Sequence, residues 1–194
     1  MSKLTALINE LNPVMLENKT SSDRIESIVT QHAIGAAATG LAAGIIPGLS
    51  GILGILTSTG IIWSMYYRIS QELGIPFTKN VLKTLGSAFL SNIFCNLSSL
   101  LLAELVCSFI PGIAIVATGA ICYAIAYLAG YLFIKLLVNV FKAGKTPEAM
   151  TAEELTAMGK AAGAEVNCAQ IFKEAQADAK ERIRKGEITK ADAI

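Results

Sequence analysis

Hydrophobic and polar positions divide this chain into two polar ends and a long apolar middle. Between residues 33 and 134 only five residues carry a charge, Arg68, Glu72, Lys79, Lys83 and Glu104. A domain surrounded by water needs charged and polar faces, and this segment offers almost none. The pattern therefore predicts apolar helices that meet lipid.

Proline and glycine interrupt the apolar middle twice. The first run, residues 33–67, would measure about 50 Å as one helix, whereas a bilayer core is about 30 Å thick. Ile46-Pro47-Gly48 breaks it, because proline lacks a backbone donor and glycine permits a turn. Pro111-Gly112 breaks the second run, residues 84–134, in the same way. Each run is predicted to be a helical hairpin with its tip at the proline.

The two hairpins form a weak internal repeat. The tips at Pro47 and Pro111 are separated by 64 residues, and at the same offset Tyr67 matches Tyr131. Membrane proteins often use such duplicated units.

The flanking segments carry helix signals typical of water-exposed structure. Ser21-Ser22-Asp23 offers N-caps for a helix that continues past His32, and Thr78 can cap the helix that follows Pro76. Thr151 and Glu154 have the spacing of a capping box. A last helix is predicted from Ala164 to Gly186. Its apolar stripe, which includes Phe172 and Ile183, is predicted to dock on the chain itself, on a second copy or on a partner.

These patterns predict an all-α integral membrane protein with amphipathic cytosolic helices at both ends. The predicted segments are an N-terminal polar segment (1–32), a first membrane hairpin (33–67), a cytosolic linker (68–83), a second membrane hairpin (84–141) and a C-terminal water-exposed helical segment (142–194).

Small residues recur every four positions on two apolar arms. Such faces let helices approach closely in lipid, where packing drives association. They predict either packing between arms of one chain or contact in a homo-oligomer. The residues are Ala36, Gly40 and Gly44 on the first arm, and Cys122, Ala126 and Gly130 on the last.

Aromatic residues followed by a cation mark the polar end of each hairpin, as expected at a membrane interface. These residues are Trp63, Tyr66, Tyr67 and Arg68, and then Tyr131 and Lys135. The tips have no nearby Lys or Arg, so the positive-inside rule places both ends of the chain and the linker in the cytoplasm. Arms of about 20 residues fit full crossing. Tips that stay apolar through the turn also fit a re-entrant wedge, and both geometries stay open.

The first arm of the second hairpin is the most polar of the four apolar arms, because it contains Glu104, Asn92 and Asn96. An ionisable group in such a segment is a functional-site hypothesis, here a pore or transport path. The alternative is that Glu104 lies near the tip and reaches the interface or stays protonated. If Glu104 lines a path, replacing it by Gln changes ion flux in liposomes, and absence of flux from the wild type excludes a pore.

Candidate chemistry is sparse. The chain has one histidine, His32, without a cluster of metal ligands near it, and no phosphate-binding loop or nucleophile motif. The net charge of +1 gives no electrostatic case for nucleic acid. We therefore expect a non-enzymatic protein without metal or cofactor.

Several short motifs match a known family in order and spacing. They are Arg24-Ile25, Ile28-Val29, Ile46-Pro47-Gly48, Met65, Arg68-Ile69-Ser70, Leu73-Gly74-Ile75, Pro111-Gly112, Thr118 through Tyr127, Gly130, Gly144-Lys145-Thr146 and Leu155. From Asp23 to Gly163 the sequence resembles the bacterial GTPase-associated membrane domain of unknown function, the group that includes YcjF-like proteins. The resemblance implies a location in the bacterial inner membrane and a GTPase partner in trans, because this chain has no GTPase of its own. It supplies no catalytic residue.

The sequence thus favours a membrane anchoring, regulatory or membrane-shaping subunit that self-associates and works with a GTPase. The alternatives are a pore or transporter with Glu104 on its path, and a membrane scaffold that assembles without any GTPase. Electron microscopy of the protein with lipid would separate a large scaffold from small particles. A fourth hypothesis is a bundle in water that inserts a hidden hairpin on demand, although the sequence offers little polar surface to shield four apolar arms.

Overall fold

The computed structural model describes residues 2–43, 50–79, 81–91, 93, 98 and 113–193. Within these ranges the chain is helical and has no strand, so the predicted all-α class is confirmed. The predicted tips at Pro47-Gly48 and Pro111-Gly112 lie outside the described residues. The helices are α1 (Lys3–Asn9), α2 (Asn12–Glu17), α3 (Ser22–Ala43), α4 (Ser50–Glu72), α5 (Val81–Ser91), α6 (Ile113–Lys142), α7 (Ala152–Glu165) and α8 (Cys168–Arg184).

Side-chain caps start several of these helices. Thr151 and Glu154 form the predicted capping box of α7, and Thr78 Oγ1 accepts a hydrogen bond from Val81 N at 3.3 Å. The last helix differs from its prediction, because α7 continues through Glu165 and α8 begins only at Cys168. The side chain of Asn167 accepts from Gln170 N and starts this new helix.

Helices α3 and α4 form an antiparallel pair. Thr20 Oγ1 donates to the Glu72 carbonyl oxygen at 2.6 Å, and Arg24 Nη1 lies 3.3 Å from Glu72 Oε2. Asn18 Nδ2 donates to the Leu73 carbonyl oxygen at 2.9 Å. These bonds hold the start of α3 beside the end of α4, and the two helices pack against each other.

Helix α6 is antiparallel to α3 and parallel to α4. A Cβ added at Gly40 would lie 3.0 Å from Gly119 Cα, and one added at Gly130 would lie 2.9 Å from Val29 Cγ1 and 3.1 Å from Met65 Sδ. Met65 is therefore level with Gly130. Because the repeat offset is 64, the matching arms of the two repeats lie side by side at nearly matching heights.

Helix α5 packs beside α4. A Cβ at Gly86 would lie 2.7 Å from Trp63 Cδ1, and the Phe89 ring packs edge-on against Tyr66 with ring centroids 6.2 Å apart. Phe89 also contacts α7, since a Cβ at Gly159 would lie 3.1 Å from its ring. Helix α7 thus packs against both α5 and α6.

Helix α6 is the centre of the core. It packs against α3, α4, α7, α8 and α1. Its segment Ala114–Lys142 is the one helix in the described ranges that is long and apolar enough to cross a membrane, and 83% of its apolar window is buried inside the protein. The core helix of a water-soluble protein meets the same criteria, so this helix alone is weak support for a membrane span.

Ion pairs fasten the N-terminal and C-terminal helices to this core. Lys142 pairs with Glu10 at the end of α6, and Lys3 Nζ lies 2.6 Å from Glu174 Oε1 on α8. Side-chain burial is described for residues 2–43, 59–79, 81–91, 93, 98 and 114–193, and Leu16 and Tyr67 are the exposed large apolar side chains among them. The exposed surface of those residues is mostly polar, although the chain as a whole is hydrophobic with a mean hydropathy of +0.55.

The packing of α3 on α6 predicts that Gly40→Ala is destabilising. The new Cβ would lie 2.9 Å from the Thr118 carbonyl oxygen and 2.8 Å from Cys122 Sγ. A contact with backbone cannot be relieved by rotating a side chain, so we expect the free energy of unfolding to fall by about 1–3 kcal/mol. Denaturant unfolding followed by circular dichroism measures it.

Gly60→Ala on α4 is the matched control, because a Cβ there meets nothing within 4 Å. Alanine is the better helix former, so this variant should gain about 0.5–1 kcal/mol. Equal effects of the two substitutions would contradict the close approach of α3 to α6 at Gly40.

Candidate functional site

The small residues predicted as a packing or oligomer face lie inside this chain. Ala36 and Gly40 on α3 are buried, as are Cys122, Ala126 and Gly130 on α6. Gly40 meets Cys122 directly, and Gly130 meets Val29 and Met65. The described part of this face is thus filled by intramolecular packing, and Gly44 lies outside the described residues.

The predicted interface residues of α4 differ in their exposure to solvent. Tyr66 is completely buried, stacks on Phe133 with ring centroids 4.3 Å apart, and donates a hydrogen bond to the Ala129 carbonyl oxygen at 3.0 Å. Tyr67 is 42% exposed, and Arg68 is exposed as well. One turn of helix therefore supplies both a core anchor and an outward-facing ring.

Tyr131, the predicted interface residue of α6, lies in a cleft of about 400 Å³. Tyr123, Tyr127 and Tyr131 line it at four-residue spacing, and Tyr123 stacks on Tyr127 with ring centroids 6.2 Å apart. We call this site the tyrosine cleft. Its other walls come from α1, α3 and α8, with Ser2, Lys3, Glu26, Thr30, Ile171, Glu174, Ala175, Asp178 and Arg182.

Charged and hydroxyl groups on the cleft walls pair with one another. Glu26 on α3 accepts hydrogen bonds from Ser2 Oγ at 2.9 Å and Thr5 Oγ1 at 2.6 Å. Lys3 donates to Glu174 on α8, and this bond lowers the pKa of the Glu174 carboxyl group. Helix α1 is therefore fastened to α3 on one side and to α8 on the other.

The lower part of the cleft joins α8 to α6. Tyr123 Oη donates to Asp178 Oδ2 at 3.3 Å and accepts from Arg182 Nη1 at 3.3 Å. Higher up, Lys135 Nζ lies 2.9 Å from Glu165 Oε2, and Asn139 Nδ2 donates to Glu165 Oε1 at 3.2 Å. The hydrogen bonds from Lys135 and Asn139 lower the pKa of the Glu165 carboxyl group. Lys135, predicted to reach the membrane interface, thus pairs within the chain.

Polar groups of the tyrosine cleft are bonded to one another and join neighbouring helices. It contains no histidine or cysteine, and its carboxylates already accept hydrogen bonds from neighbouring groups. Across the described part of the chain, no group of three or more His, Cys, Asp or Glu residues is placed to hold a metal ion. The arrangement orders α1 and α8 on α6.

The apolar stripe of α8 docks on its own chain. Phe172 is 1% exposed in the core, and Ile183 packs partly buried against the same core. Of the three docking targets that the sequence left open, the structure thus places Phe172 on the chain itself. Asp178 and Arg182 were not identified from the sequence, although their four-residue spacing on one helix is a recognisable pairing signal.

The predicted intramembrane polar residues Glu104, Asn92 and Asn96 lie outside the described residues.

No family model matches the sequence, and no curated protein or solved structure matches it. The resemblance to the GTPase-associated membrane domain therefore rests on the motifs of the sequence itself.

His32 is a buried titratable group on α3. It is 2% exposed, and its Nδ1–H donates to the Ile28 carbonyl oxygen at 2.7 Å. Burial lowers the pKa of His32 below its ordinary value of 6.5, and the nearby Arg68 charge lowers it further, while the Ile28 hydrogen bond opposes both. The neutral ring is therefore the form that the fold accommodates.

This environment predicts acid-sensitive stability. The pKa of His32 is lower in the folded chain than in the unfolded one, so its contribution is constant above about pH 6.5 and declines as the pH falls from there towards the folded pKa. The free energy of unfolding should drop by at most about 1.4 kcal/mol per pH unit in that window. Denaturant unfolding between about pH 7.5 and pH 5.5 measures it.

His32→Gln is the control, because His32 is the one histidine in the sequence. Its stability should change little over the same pH range. A slope in this variant equal to that of the wild type would assign the pH dependence to other groups.

Proposed function

We propose that this protein is a non-enzymatic, membrane-associated subunit that enters the bilayer tip first as a wedge, with its N-terminal and C-terminal helices in water. The observation that carries this proposal is the docking of α8 alongside α6. On α6 these contacts of the C-terminal segment extend from Asn139, which bonds Glu165 at the end of α7, to Tyr123, which bonds Asp178 and Arg182 on α8.

Charges on α8 limit how deep α6 can enter lipid. The outer face of α8 is exposed and carries Lys173, Glu174, Glu181 and Arg184. Each charge placed at the bilayer centre costs about 2.5–3.5 kcal/mol even on the mildest scale. While α8 stays docked, the stretch of α6 that begins at Tyr123 is therefore held at or above the membrane surface.

The remaining length of α6 fits one leaflet. Helix α6 has 30 residues, and the part before Tyr123 is Ile113–Cys122. At 1.5 Å per residue that part measures about 15 Å, roughly half of a bilayer core of about 30 Å. The apolar tip sequences, which contain Ile45, Ile46 and Leu49 and then Phe109 and Ile110, suit the hydrocarbon of that leaflet.

Full crossing of four helices is the competing geometry. It requires α8 to leave α6, which would break the bonds of Tyr123 to Asp178 and Arg182 and expose Phe172. A homo-oligomer would need a surface other than the face of Gly40 and Cys122, since the chain itself fills that face. A pore with Glu104 on its path and a self-assembling scaffold stay as alternatives that draw on the sequence alone.

A second candidate is a form that waits in water and inserts on demand. The exposed surface favours it where side-chain burial is described (2–43, 59–79, 81–91, 93, 98 and 114–193), because Leu16 and Tyr67 are the large apolar side chains exposed there. Sedimentation of the purified protein without detergent tests it. A monodisperse particle supports a waiting form, and complete aggregation excludes it.

We also propose a GTPase partner in trans, supported by the resemblance alone. The charged outer face of α8 and the exposed part of α7 would be its contact surface. Where the native host encodes a dynamin-like or Ras-like GTPase nearby, mixing that GTPase with the purified protein measures the interaction directly. Absence of binding, both with vesicles and without, would contradict this partner.

Sidedness of the first tip distinguishes a wedge from full crossing. In a cysteine-free background, a Gly48→Cys protein is added to preformed vesicles that contain a trapped, membrane-impermeant maleimide. We expect no reaction of residue 48 with the trapped reagent, nor with reagent added outside, because a wedge buries the tip in lipid. Mass spectrometry counts the adduct.

Lys173→Cys on the exposed face of α8 is the matched control. It should react with reagent added outside and not with trapped reagent. Labelling of Gly48→Cys from the inside would establish crossing and overturn the wedge.

A further inference from the structure

Two lysines and two aromatic rings surround a groove between α4 and the start of α5. The groove has a volume of about 260 Å³. Its lining consists of Trp63, Ser64, Tyr67, Lys79, Leu82 and Lys83. We propose that this groove, called here the basic-aromatic groove, binds the headgroup of an anionic phospholipid. The inference rests on the proposed membrane association and adds a lipid preference to it.

The charge of the groove is uncompensated. No carboxylate lines it, and neither Lys79 nor Lys83 forms an ion pair with any residue that the structure describes. Five other lysines, Lys3, Lys135, Lys142, Lys145 and Lys185, each lie within 4 Å of a carboxylate. What distinguishes Lys79 and Lys83 from the remaining lysines is that they line one groove together with aromatic rings. Two adjacent unpaired ammonium groups attract the negative surface of an anionic bilayer.

Packing holds the aromatic rings in place. The Trp63 ring lies so close to α5 that a Cβ at Gly86 would be 2.7 Å from its Nε1. Lys83 Nζ lies 5.6 Å from the centre of the same ring, a cation–π contact. The rings and Leu82 give an apolar floor for the glycerol and upper acyl carbons, and Lys79 and Lys83 face the phosphate.

The height of the groove matches the proposed membrane surface. Met65 is level with Gly130, so Trp63 stands about one and a half helical turns above Tyr123, and Tyr67 about two and a half turns above it. Tyr67 is also 42% exposed, and tyrosine and tryptophan rings are enriched at the headgroup level of membranes. The same side chains would thus meet lipid at the boundary between the wedge and water.

Vesicle binding with matched charge variants tests the groove. Flotation with vesicles of phosphatidylcholine alone, or of phosphatidylcholine mixed with phosphatidylglycerol, measures the preference for anionic lipid. We expect wild-type protein to prefer the anionic vesicles, and the K79Q/K83Q double variant to lose about 25-fold of that preference, about fivefold for each lysine. The K160Q/K173Q variant removes the same charge from exposed positions on α7 and α8 and should keep the preference.

The single tryptophan of the chain provides a second measurement. Brominated phosphatidylglycerol in a phosphatidylcholine background should quench Trp63 more than brominated phosphatidylcholine in a phosphatidylglycerol background. The K79Q/K83Q variant keeps Trp63 and should lose this difference. Unchanged thermal unfolding of both double variants shows that the fold is intact.

Each other outcome overturns a defined part of the inference. Equal wild-type binding to neutral and anionic vesicles would contradict anionic-lipid binding in the groove, while the wedge proposal would be unaffected. Equal losses in the two double variants would assign the lipid preference to net charge and contradict a specific role of the groove. Competition by inorganic phosphate at matched ionic strength would contradict a lipid as the ligand of the groove. Absence of binding to every vesicle contradicts the membrane proposal itself.

Discussion

The close approach of α3 to α6 is the contact on which the rest of the fold depends. Gly40 and Gly119 face each other, and a side chain at Gly40 would meet the Thr118 carbonyl oxygen at 2.9 Å. Helices that approach this closely bury their faces with few voids, and dense packing of this kind is what core stability requires. With α3 in this position, α4 packs against the same helix, and the Tyr66 hydroxyl reaches the Ala129 carbonyl oxygen.

The apolar surface of α6 is suited by length and composition to lipid as well as to a protein core. The segment Ala114–Lys142 would satisfy a bilayer by length and composition, yet most of it is covered by helices of its own chain. Helices α7 and α8 cover part of this surface: Glu165 at the end of α7 bonds Asn139, and Asp178 on α8 bonds Tyr123. The apolar stripe of α8 faces the core and its charges face outward. A helix with such a charged face is suited to water, so the proposed wedge leaves the end opposite the N-terminal helices for contact with lipid.

The internal repeat gains a physical meaning from the bundle. Matching arms α4 and α6 run parallel at matching heights, while their environments differ. One consequence is that repeat-related tyrosines have different roles, since Tyr67 is exposed beside the basic-aromatic groove and Tyr131 lies in the tyrosine cleft. The duplicated design thus supplies two sites of different polarity at one level of the molecule, one basic and open, the other internally paired.

The sequence by itself determined the helical class, the capping box at Thr151, the continuation of α3 past His32 and the end of the last helix near Gly186. These features depend on local chemistry, namely capping side chains, apolar periodicity and residues that permit a left-handed turn. Only the tertiary structure decided that Gly40 packs on Cys122 inside the chain, that Tyr66 is buried while Tyr67 is exposed, and that Phe172 docks on its own core. The reason is that an apolar or small residue is compatible with lipid, with a second copy and with the chain's own interior. The choice among them depends on which helices are near enough to cover it, and that is a property of the whole arrangement of helices.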